Sequence, residues 1–217
     1  YREIYNKDTV FLSYGANVIE NNDQEYLEKY KLEKNKYILF VGRLVPENQA
    51  HLLIRAFNEI DTDMKLVIVG DAPYEKEYKR RLRQIADERV IFTGFVFGKG
   101  YQQLSSNAYL YVLTSGVEGT RPVLLDQMAF SNCVLVRNSA ANTEVIGDSG
   151  WSFDGGRERE DLTKQLQYLI SHPEIVREYR KRARERVIHN YSWEAVTDQY
   201  EKLFFNLKKI INKNLFL

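Results

Sequence analysis

Short runs of apolar residues alternate along this chain with longer segments in which apolar residues recur every three or four positions. Six runs have the length of a buried strand: 37–42, 65–70, 89–95, 109–114, 132–136 and 150–154. Strands that are apolar throughout and separated by helices are typical of a parallel sheet covered on both faces. The pattern therefore predicts an α/β fold, a Rossmann-like doubly wound parallel sheet with helices on both faces.

Helical spacing of apolar residues is found in seven segments: 22–32, 47–60, 74–86, 100–108, 158–170, 172–188 and 193–211. An Asn or Asp is expected to cap the first of them. In the third, Pro73 is expected near the first turn. Proline is favoured where a helix begins, so His172-Pro173 separates two of the C-terminal helices. An apolar, β-rich run at 9–15, stopped by a glycine, predicts a strand-like segment ahead of the sheet.

Composition and charge narrow the functional classes. The chain has 217 residues, 28% of them charged, and a net charge of +1, so no overall field attracts nucleic acid. Basic clusters at 79–83 and 177–186 lie in helical patterns, which favours solvated helix faces over a phosphate-binding patch. No run of 18 apolar residues is found, so no transmembrane helix is predicted.

The metal-binding and redox residues point to neither a metal site nor a disulfide. Cys133 is the only cysteine, which fits a reducing compartment, and its apolar surroundings predict a buried thiol rather than a nucleophile. The three histidines lack the spacing of metal ligands. The chain begins with Tyr1 rather than methionine, from which we expect a piece of a longer protein.

Ligands of doubly wound folds bind beyond the carboxyl ends of the strands, so the residues there are candidate site residues. Gly42 and Arg43 follow the first run. A glycine lets the backbone approach a ligand closely, and the guanidinium fork of an arginine suits a phosphate. Gly70 and Gly94 follow the next two runs, and Gly94 is expected to leave backbone on which a base can lie.

The segment 118–130, EGTRPVLLDQMAF, places two carboxylates around an apolar helix. Pro122 is expected in the first turn, and the residue before a proline avoids the α region, so Arg121 is expected to be extended. The amides near Arg121 then lie at a helix N-terminus, which favours anions. Glu118 stands outside this turn and Asp126 one turn inside, both able to face the crevice. A solvated or capping side chain is the alternative for Asp126.

Five stretches in this order, FVGRLVPEN, LVIVGDAPY, VIFTGFV, EGTRPVLLDQMA and EVIGDSGWSFD, resemble the C-terminal domain of family 4 (group 1) glycosyltransferases of the GT-B fold. The resemblance runs from about residue 37 to 154. It implies the donor-binding half of a retaining enzyme that uses a nucleotide diphosphate sugar. It also implies an interdomain segment at 1–20, a nucleotide-sugar-binding domain at 21–191, and a helix at 192–217 that packs toward a missing N-terminal domain.

The resemblance implies roles for individual residues. Glu118 and Asp126 stand where the family has two glutamates separated by seven residues, for the donor sugar hydroxyls and the ribose. Arg43 would pair with the diphosphate, so the catalytic residues are expected to be Glu118 and Arg43. The backbone near Phe95 and Val96 would meet the base, and the amides of residues 119–121 (Gly119, Thr120 and Arg121) would touch the sugar and phosphate. Gly42 and Asn48 are the remaining donor-binding residues implied.

Three departures from the family pattern bear on the donor site. Asp126 is one methylene shorter than the usual glutamate. Asn48 or Gln49 stands where a lysine commonly pairs with the arginine on the diphosphate. Residues 120–122 replace a Gly-Phe-Gly turn, and Arg121 is expected either to supply the missing positive charge or to fill the pocket.

The family implies a hexosyl or deoxyhexosyl transferase of polysaccharide biosynthesis in the cytoplasm or at the inner face of the membrane. It has no metal or other cofactor, and its sugar or lipid-linked acceptor would be held by the missing domain. Peripheral membrane association of the full-length enzyme stays open, and the fragment alone is expected to be inactive. The alternative is a degenerate nucleotide-sugar-binding or scaffold module, because fold does not fix function. A dinucleotide enzyme is disfavoured, since no G-x-G-x-x-G follows a strand.

Overall fold

The computed structural model describes residues 1–21, 23–116, 119 and 121–214, without the side chains of residues 158 and 210–214. Its centre is a parallel sheet of six strands: β1 (Tyr37–Val41), β2 (Lys65–Val69), β3 (Val90–Gly94), β4 (Leu110–Leu113), β5 (Cys133–Arg137) and β6 (Trp151–Phe153). The strands lie in the order β3-β2-β1-β4-β5-β6, and all neighbours are parallel. The predicted fold class and all six predicted strands are confirmed.

Helices cover both faces of this sheet. The described α-helices are α1 (Arg2–Tyr5), α2 (Glu25–Lys29), α3 (Ala50–Asn58), α4 (Lys76–Ile85), α5 (Gly98–Ser106), α6 (Pro122–Ala129), α7 (Ala140–Ile146), α8 (Glu158–Ser171), α9 (Pro173–Asn190) and α10 (Trp193–Asn214). A short 3-10 helix at Pro46–Asn48 precedes α3. Within the described part of the chain, no helix is both long and apolar enough to cross a membrane.

The core consists of two apolar clusters, one on each face of the sheet. Successive side chains of a strand point to opposite faces, so Ile38 and Phe40 of β1 enter one cluster and Tyr37 and Leu39 the other. Helices α3, α4 and α8 cover the first face, α5 and α6 cover the second, and α9 contributes residues to both clusters. Cys133 is fully buried, and burial raises the pKa of its thiol to about 12. The prediction of a buried thiol is confirmed.

The apolar run at 9–15 is described throughout and forms no strand. Val10, Phe11 and Tyr14 are exposed, and the chain joins the domain at the next residue, where the Ala16 N–H donates to the Tyr191 carbonyl at 2.7 Å. An apolar run becomes a strand only where its side chains pack against neighbouring strands. The expectation of a β-segment here is therefore wrong.

Two predicted helix starts are also wrong. Helix α2 begins only at Glu25, behind Gln24, which makes no side-chain capping bond. Helix α4 begins at Lys76, so Pro73 lies ahead of it rather than in its first turn. The Asp71 carboxylate accepts bonds from the Ala72 N–H and the Lys79 ammonium, both at 2.7 Å, and so holds this loop against α4.

Helix α10 packs near the N-terminal segment and leaves much of its apolar face in solvent. The Trp193 ring lies so close to Gly15 that a Cβ there would stand 2.5 Å away. Further along the helix, Tyr200, Phe204 and Phe205 are exposed. The domain thus ends in an aromatic helical surface on the side where the N-terminal segment joins it.

Candidate functional site

The strand order reverses between β1 and β4, so a crevice opens beyond the carboxyl ends of these two strands. Close backbone contacts form its floor. The Gly42 N–H donates to the Val69 carbonyl at 3.0 Å, and the Gly70 N–H donates to the Gly94 carbonyl at 2.9 Å. Gly70 has a φ of +135°, and a Cβ at that position would overlap the Gly42 carbonyl. The loops after β1, β2 and β3 can meet here only because Gly70 has no side chain.

A cavity of about 330 Å³ lies at this point, between the ends of β1 and β4, the 3-10 helix and the start of α6. Its volume is at the lower end of the range for small-molecule sites. The structure gathers four of the predicted site residues in its lining: Gly42, Arg43, Asn48 and Arg121. Of the two residues considered for the place of a lysine, Asn48 faces the cavity, whereas the Gln49 side chain accepts a bond from Arg137 at 3.0 Å.

Arg121 precedes α6 in an extended conformation, with φ −99° and ψ 114°, and Pro122 occupies the first helical turn. Both features are as predicted. Its guanidinium donates to the Ser115 hydroxyl at 2.6 Å and to the Asn48 side-chain oxygen at 3.4 Å. The Asn48 amide in turn donates to the Arg43 carbonyl at 2.8 Å. These contacts hold the guanidinium at the cavity wall, beside the N-terminus of α6.

The cavity concentrates positive charge. Burial lowers the pKa of Arg121, and the neighbouring Arg43 lowers it further. An arginine stays protonated under such a shift, so two like charges face one space. The N–H groups at the start of α6 add a partial positive charge. An anion with several oxygens is the ligand that this arrangement favours.

Asp126 lies one turn inside α6, half-buried, with its Oδ2 accepting a bond from the Tyr101 hydroxyl of α5 at 3.2 Å. Burial raises the pKa of this carboxyl, and the bond from Tyr101 offsets part of the rise. Because this carboxylate is held by a side chain of another helix, it is not a helix cap. It is partly exposed, so the choice between a solvated side chain and a ribose contact stays a prediction.

Phe95 and Val96 lie beyond β3, outside the lining of the cavity. Gly94 has a φ of +71°, and nothing lies within 4 Å of a Cβ built on it, so the backbone here is open. The exposed rings of Phe95 and Phe97 stack with their centroids 5.8 Å apart. This loop leads into α5, and the Tyr101–Asp126 bond connects it to α6.

Glu118 and Thr120 lie outside the described residues, so their predicted contacts stay predictions. Gly119, between them, is exposed and has a φ of +122°. In the described part of the chain, no three His, Cys, Asp or Glu side chains are grouped so as to hold a metal ion.

Sequence reasoning missed the polar residues beneath the site. Tyr101 and Gln127 contact each other there, and the Tyr111 hydroxyl is buried with no hydrogen-bond partner among the described residues. Burial raises the pKa of Tyr111, while Arg121 lowers it and Asp126 raises it, so both charges lie within electrostatic reach of the hydroxyl. The signal in the sequence was Gln127, a polar residue next to Asp126 in an otherwise apolar helix.

A family model described as Glycosyl transferases group 1 matches residues 22–186. The chain therefore belongs to the group 1 glycosyltransferases. It is 29% identical over 176 residues to the N-acetylgalactosamine-N,N'-diacetylbacillosaminyl-diphospho-undecaprenol 4-alpha-N-acetylgalactosaminyltransferase of Campylobacter jejuni, covering 80% of this chain and 47% of that protein. It is 27% identical over 211 residues to the N-acetyl-alpha-D-glucosaminyl L-malate synthase of Bacillus anthracis, covering 93% and 55%. The chain spans about half the length of these relatives.

Solved structures share the fold. The sucrose-phosphate synthase of Thermosynechococcus elongatus matches with a TM-score of 0.79 at 21% identity, covering 92% of this chain and 52% of that one. HepE of Anabaena, in complex with UDP, matches with a TM-score of 0.77 at 20% identity, covering 84% of this chain and 52% of that one. The C-terminal domain of the group 1 protein LpcC from Francisella tularensis matches with a TM-score of 0.69 at 21% identity, covering 81% of this chain and 95% of that one. The match to an isolated C-terminal domain agrees with the expected GT-B half.

Proposed function

We propose that this chain is the donor-binding half of a retaining glycosyltransferase that uses a nucleotide diphosphate sugar. The observation that carries the proposal is the convergence of Arg43 and Arg121 in one cavity at the strand-order reversal, where α6 begins. Two guanidinium groups and a helix N-terminus suit the oxygens of a diphosphate. The UDP in the HepE structure supports the choice of ligand class.

In the proposed reaction, the bond between the anomeric carbon and the diphosphate oxygen breaks, and its electrons stay on the diphosphate. The oxygen of an acceptor hydroxyl bonds to the anomeric carbon, its proton passes to the departing diphosphate oxygen, and the anomeric configuration is unchanged. Arg43, Arg121 and the start of α6 would stabilise the charge that develops on the leaving diphosphate. No metal or further cofactor is needed in this scheme, because these groups supply the positive charge.

The other residues would position the donor. Asp126 would accept ribose hydroxyls, and Glu118 would hold hydroxyls of the transferred hexosyl or deoxyhexosyl group. The backbone near Phe95 and Val96 would meet the base. Gly42, Asn48, Gly119 and Thr120 would contact the phosphates and the sugar.

The acceptor, a sugar or a lipid-linked glycan, would be held by a preceding domain of the whole protein. The exposed aromatic residues of α10 and the backbone contact between Ala16 and Tyr191 support a junction of residues 1–20 and 192–217 with that domain. The undecaprenol-linked substrate named for the Campylobacter relative supports a lipid-linked acceptor, and the enzyme would then act in the cytoplasm, at the inner face of the membrane. This chain alone would be inactive, since the acceptor would be held by the preceding domain.

One observation favours the alternative of a degenerate module. Arg121 already occupies the cavity wall and is bonded to Ser115 and Asn48. If this guanidinium blocked the donor, the domain would keep its fold and bind no nucleotide diphosphate.

A calorimetric screen of the 217-residue chain against UDP, GDP, ADP and dTDP, without added metal, distinguishes the donor-binding half from the degenerate module. The proposal predicts that one diphosphate binds and that Arg43→Ala weakens it by about 1.5 to 3 kcal/mol, the worth of a hydrogen bond to a charged group. Binding that appears only in Arg121→Gly would support the degenerate module. Failure of both proteins to bind any of the four at millimolar concentration would contradict the donor role.

A further inference from the structure

A series of buried polar side chains connects the core to Asp126. The Asn132 amide donates to the Gln127 side-chain oxygen at 2.8 Å. The Gln127 amide donates to the Ser105 hydroxyl at 2.9 Å and to the Tyr101 hydroxyl oxygen at 3.1 Å. Tyr101 then donates to Asp126. Ser105, Gln127 and Asn132 are fully buried, so the half-buried carboxylate is the end of the series that solvent and ligands can reach.

The direction of every bond in this series is fixed by one backbone group. The Asn132 amide nitrogen also bonds to the Ser105 carbonyl at 2.9 Å, and a carbonyl can only accept. Asn132 therefore donates to Gln127, whose side-chain oxygen must accept this bond. The amide nitrogen of Gln127 is then directed toward Tyr101. The hydroxyl oxygen of Tyr101 accepts that bond, so its single hydrogen is left for Asp126.

Such a series is costly in the interface between two helices. A buried polar group left without its partner costs the fold about 1 to 3 kcal/mol of stability. Apolar residues of similar size would pack there without that requirement. At its buried end, the series satisfies the Ser105 carbonyl in the last turn of α5. At its other end, it holds the carboxylate of Asp126, which solvent can reach.

We propose that Tyr101 is a positioning residue for the nucleotide ribose, holding Oδ2 of Asp126 so that Oδ1 is left to accept the ribose hydroxyls. This inference rests on the proposed donor site. No described residue donates to Oδ1, so the atom is available. Burial raises the pKa of Asp126, and the bond from the hydroxyl opposes part of that rise and so favours the carboxylate, the form that accepts from two hydroxyls.

The bond from Tyr101 restricts the side chain of Asp126, which has fewer rotatable bonds than a glutamate. The Tyr101 ring is held in turn, because it packs edge-on against Phe130 with the centroids 5.7 Å apart. Removal of the hydroxyl should leave this packing in place.

The variant Tyr101→Phe tests the inference, with Tyr109→Phe as its control. Tyr109 is also a buried tyrosine, but its hydroxyl donates to the Leu169 carbonyl at 2.8 Å on the other face of the sheet. In Tyr101→Phe, we expect the affinity for UDP to fall about tenfold and the affinity for 2′,3′-dideoxy-UDP to stay unchanged. In Tyr109→Phe, both affinities should equal those of the unaltered chain. If another diphosphate binds in the screen, it and its dideoxy analogue replace this pair.

A second readout does not depend on the nucleotide. The carboxyl carbon of Asp126, followed by NMR over a pH titration, should show a higher pKa in Tyr101→Phe and no change in Tyr109→Phe. An unchanged pKa, or an equal loss of affinity for UDP and the dideoxy analogue, overturns the inference alone. If the unaltered chain binds none of the four diphosphates, the proposed function fails and this inference falls with it.

Discussion

At the residue scale, the ionised carboxylate of Asp126 is proposed to bind the donor but lowers the stability of the fold. Burial raises the pKa of its carboxyl above the ordinary value of about 3.9. The folded chain therefore binds this proton more tightly than the unfolded chain does. The stability that Asp126 contributes is largest below pH ~3.9 and is lost as the pH rises through its folded-state pKa. At neutral pH, the charged form is kept at a cost to stability, as is common for binding residues.

Asp126→Asn should remove this cost while keeping the shape of the side chain and its bond from Tyr101. We expect the melting temperature at pH 7.5 to rise by about 2 to 4 °C, corresponding to about 1 kcal/mol in a chain of this size, and the gain to vanish near pH 4. Calorimetric melting at the two pH values measures this. UDP affinity should fall in the same variant.

The control for this prediction is Asp71→Asn. The bond from Lys79 holds the pKa of Asp71 below its ordinary value, so this carboxylate stabilises the folded chain at neutral pH and loses that effect as the pH falls. Its replacement should lower the melting temperature at pH 7.5. A fall of the melting temperature in Asp126→Asn as well would contradict the account of Asp126.

Replacing Arg43 or Arg121 by alanine should weaken UDP binding to a similar extent, but only the Arg121 variant should lose stability. Arg121→Ala removes the bonds to Ser115 and Asn48, so we expect a loss of about 1 to 3 kcal/mol in the free energy of unfolding. Arg43 is exposed, and Arg43→Ala should leave unfolding nearly unchanged. Both variants should weaken the binding free energy of UDP by about 1.5 to 3 kcal/mol. Tighter binding in Arg121→Ala, measured by calorimetry, would show that the guanidinium blocks the site.

At the element scale, the crevice depends on strand ends that approach more closely than side chains allow. Gly70 has a φ of +135°, and a Cβ there would overlap the Gly42 carbonyl. Gly94 has a positive φ too, but a Cβ there would meet nothing within 4 Å. Both glycines thus have a φ that would strain an L residue, but only Gly70 lacks the space for a Cβ.

Gly70→Ala should therefore cost more than Gly94→Ala. A positive φ alone costs an alanine about 1 to 2 kcal/mol, and the clash with backbone adds to this at Gly70. We expect the free energy of unfolding, measured by urea denaturation, to fall in Gly70→Ala by at least about 2 kcal/mol more than in Gly94→Ala. Equal losses in the two variants would mean that the loops after β1 and β2 do not meet as described.

The strands and most helices could be predicted because their local pattern agrees with their tertiary place. The six runs that became strands lie in one sheet between two layers of helices. The run at 9–15 has the same local pattern and no sheet beside it, which the sequence does not express. The start of α4 depends on the Asp71–Lys79 contact between a loop and the following helix, and helical periodicity contains no trace of it.

At the scale of the whole molecule, the topology brings Gly42, Arg43, Asn48 and Arg121 into one cavity although more than seventy positions separate the ends of this set. This gathering was predictable, because parallel strands bring their carboxyl ends to one edge. The support beneath it was not. Tyr101 reaches Asp126 only through the packing of α5 on α6, and no spacing in the sequence connects the two residues.

The two arginines at the strand-order reversal are proposed to bind a diphosphate. The decisive measurement is a calorimetric titration with the nucleoside diphosphate that binds in the screen and with its monophosphate, repeated on Arg43→Ala. We expect the diphosphate to bind at least tenfold more tightly than the monophosphate, and Arg43→Ala to remove most of this difference. Equal affinity for the two nucleotides in the unaltered chain, or a difference that survives in Arg43→Ala, would show that the arginines do not bind a diphosphate.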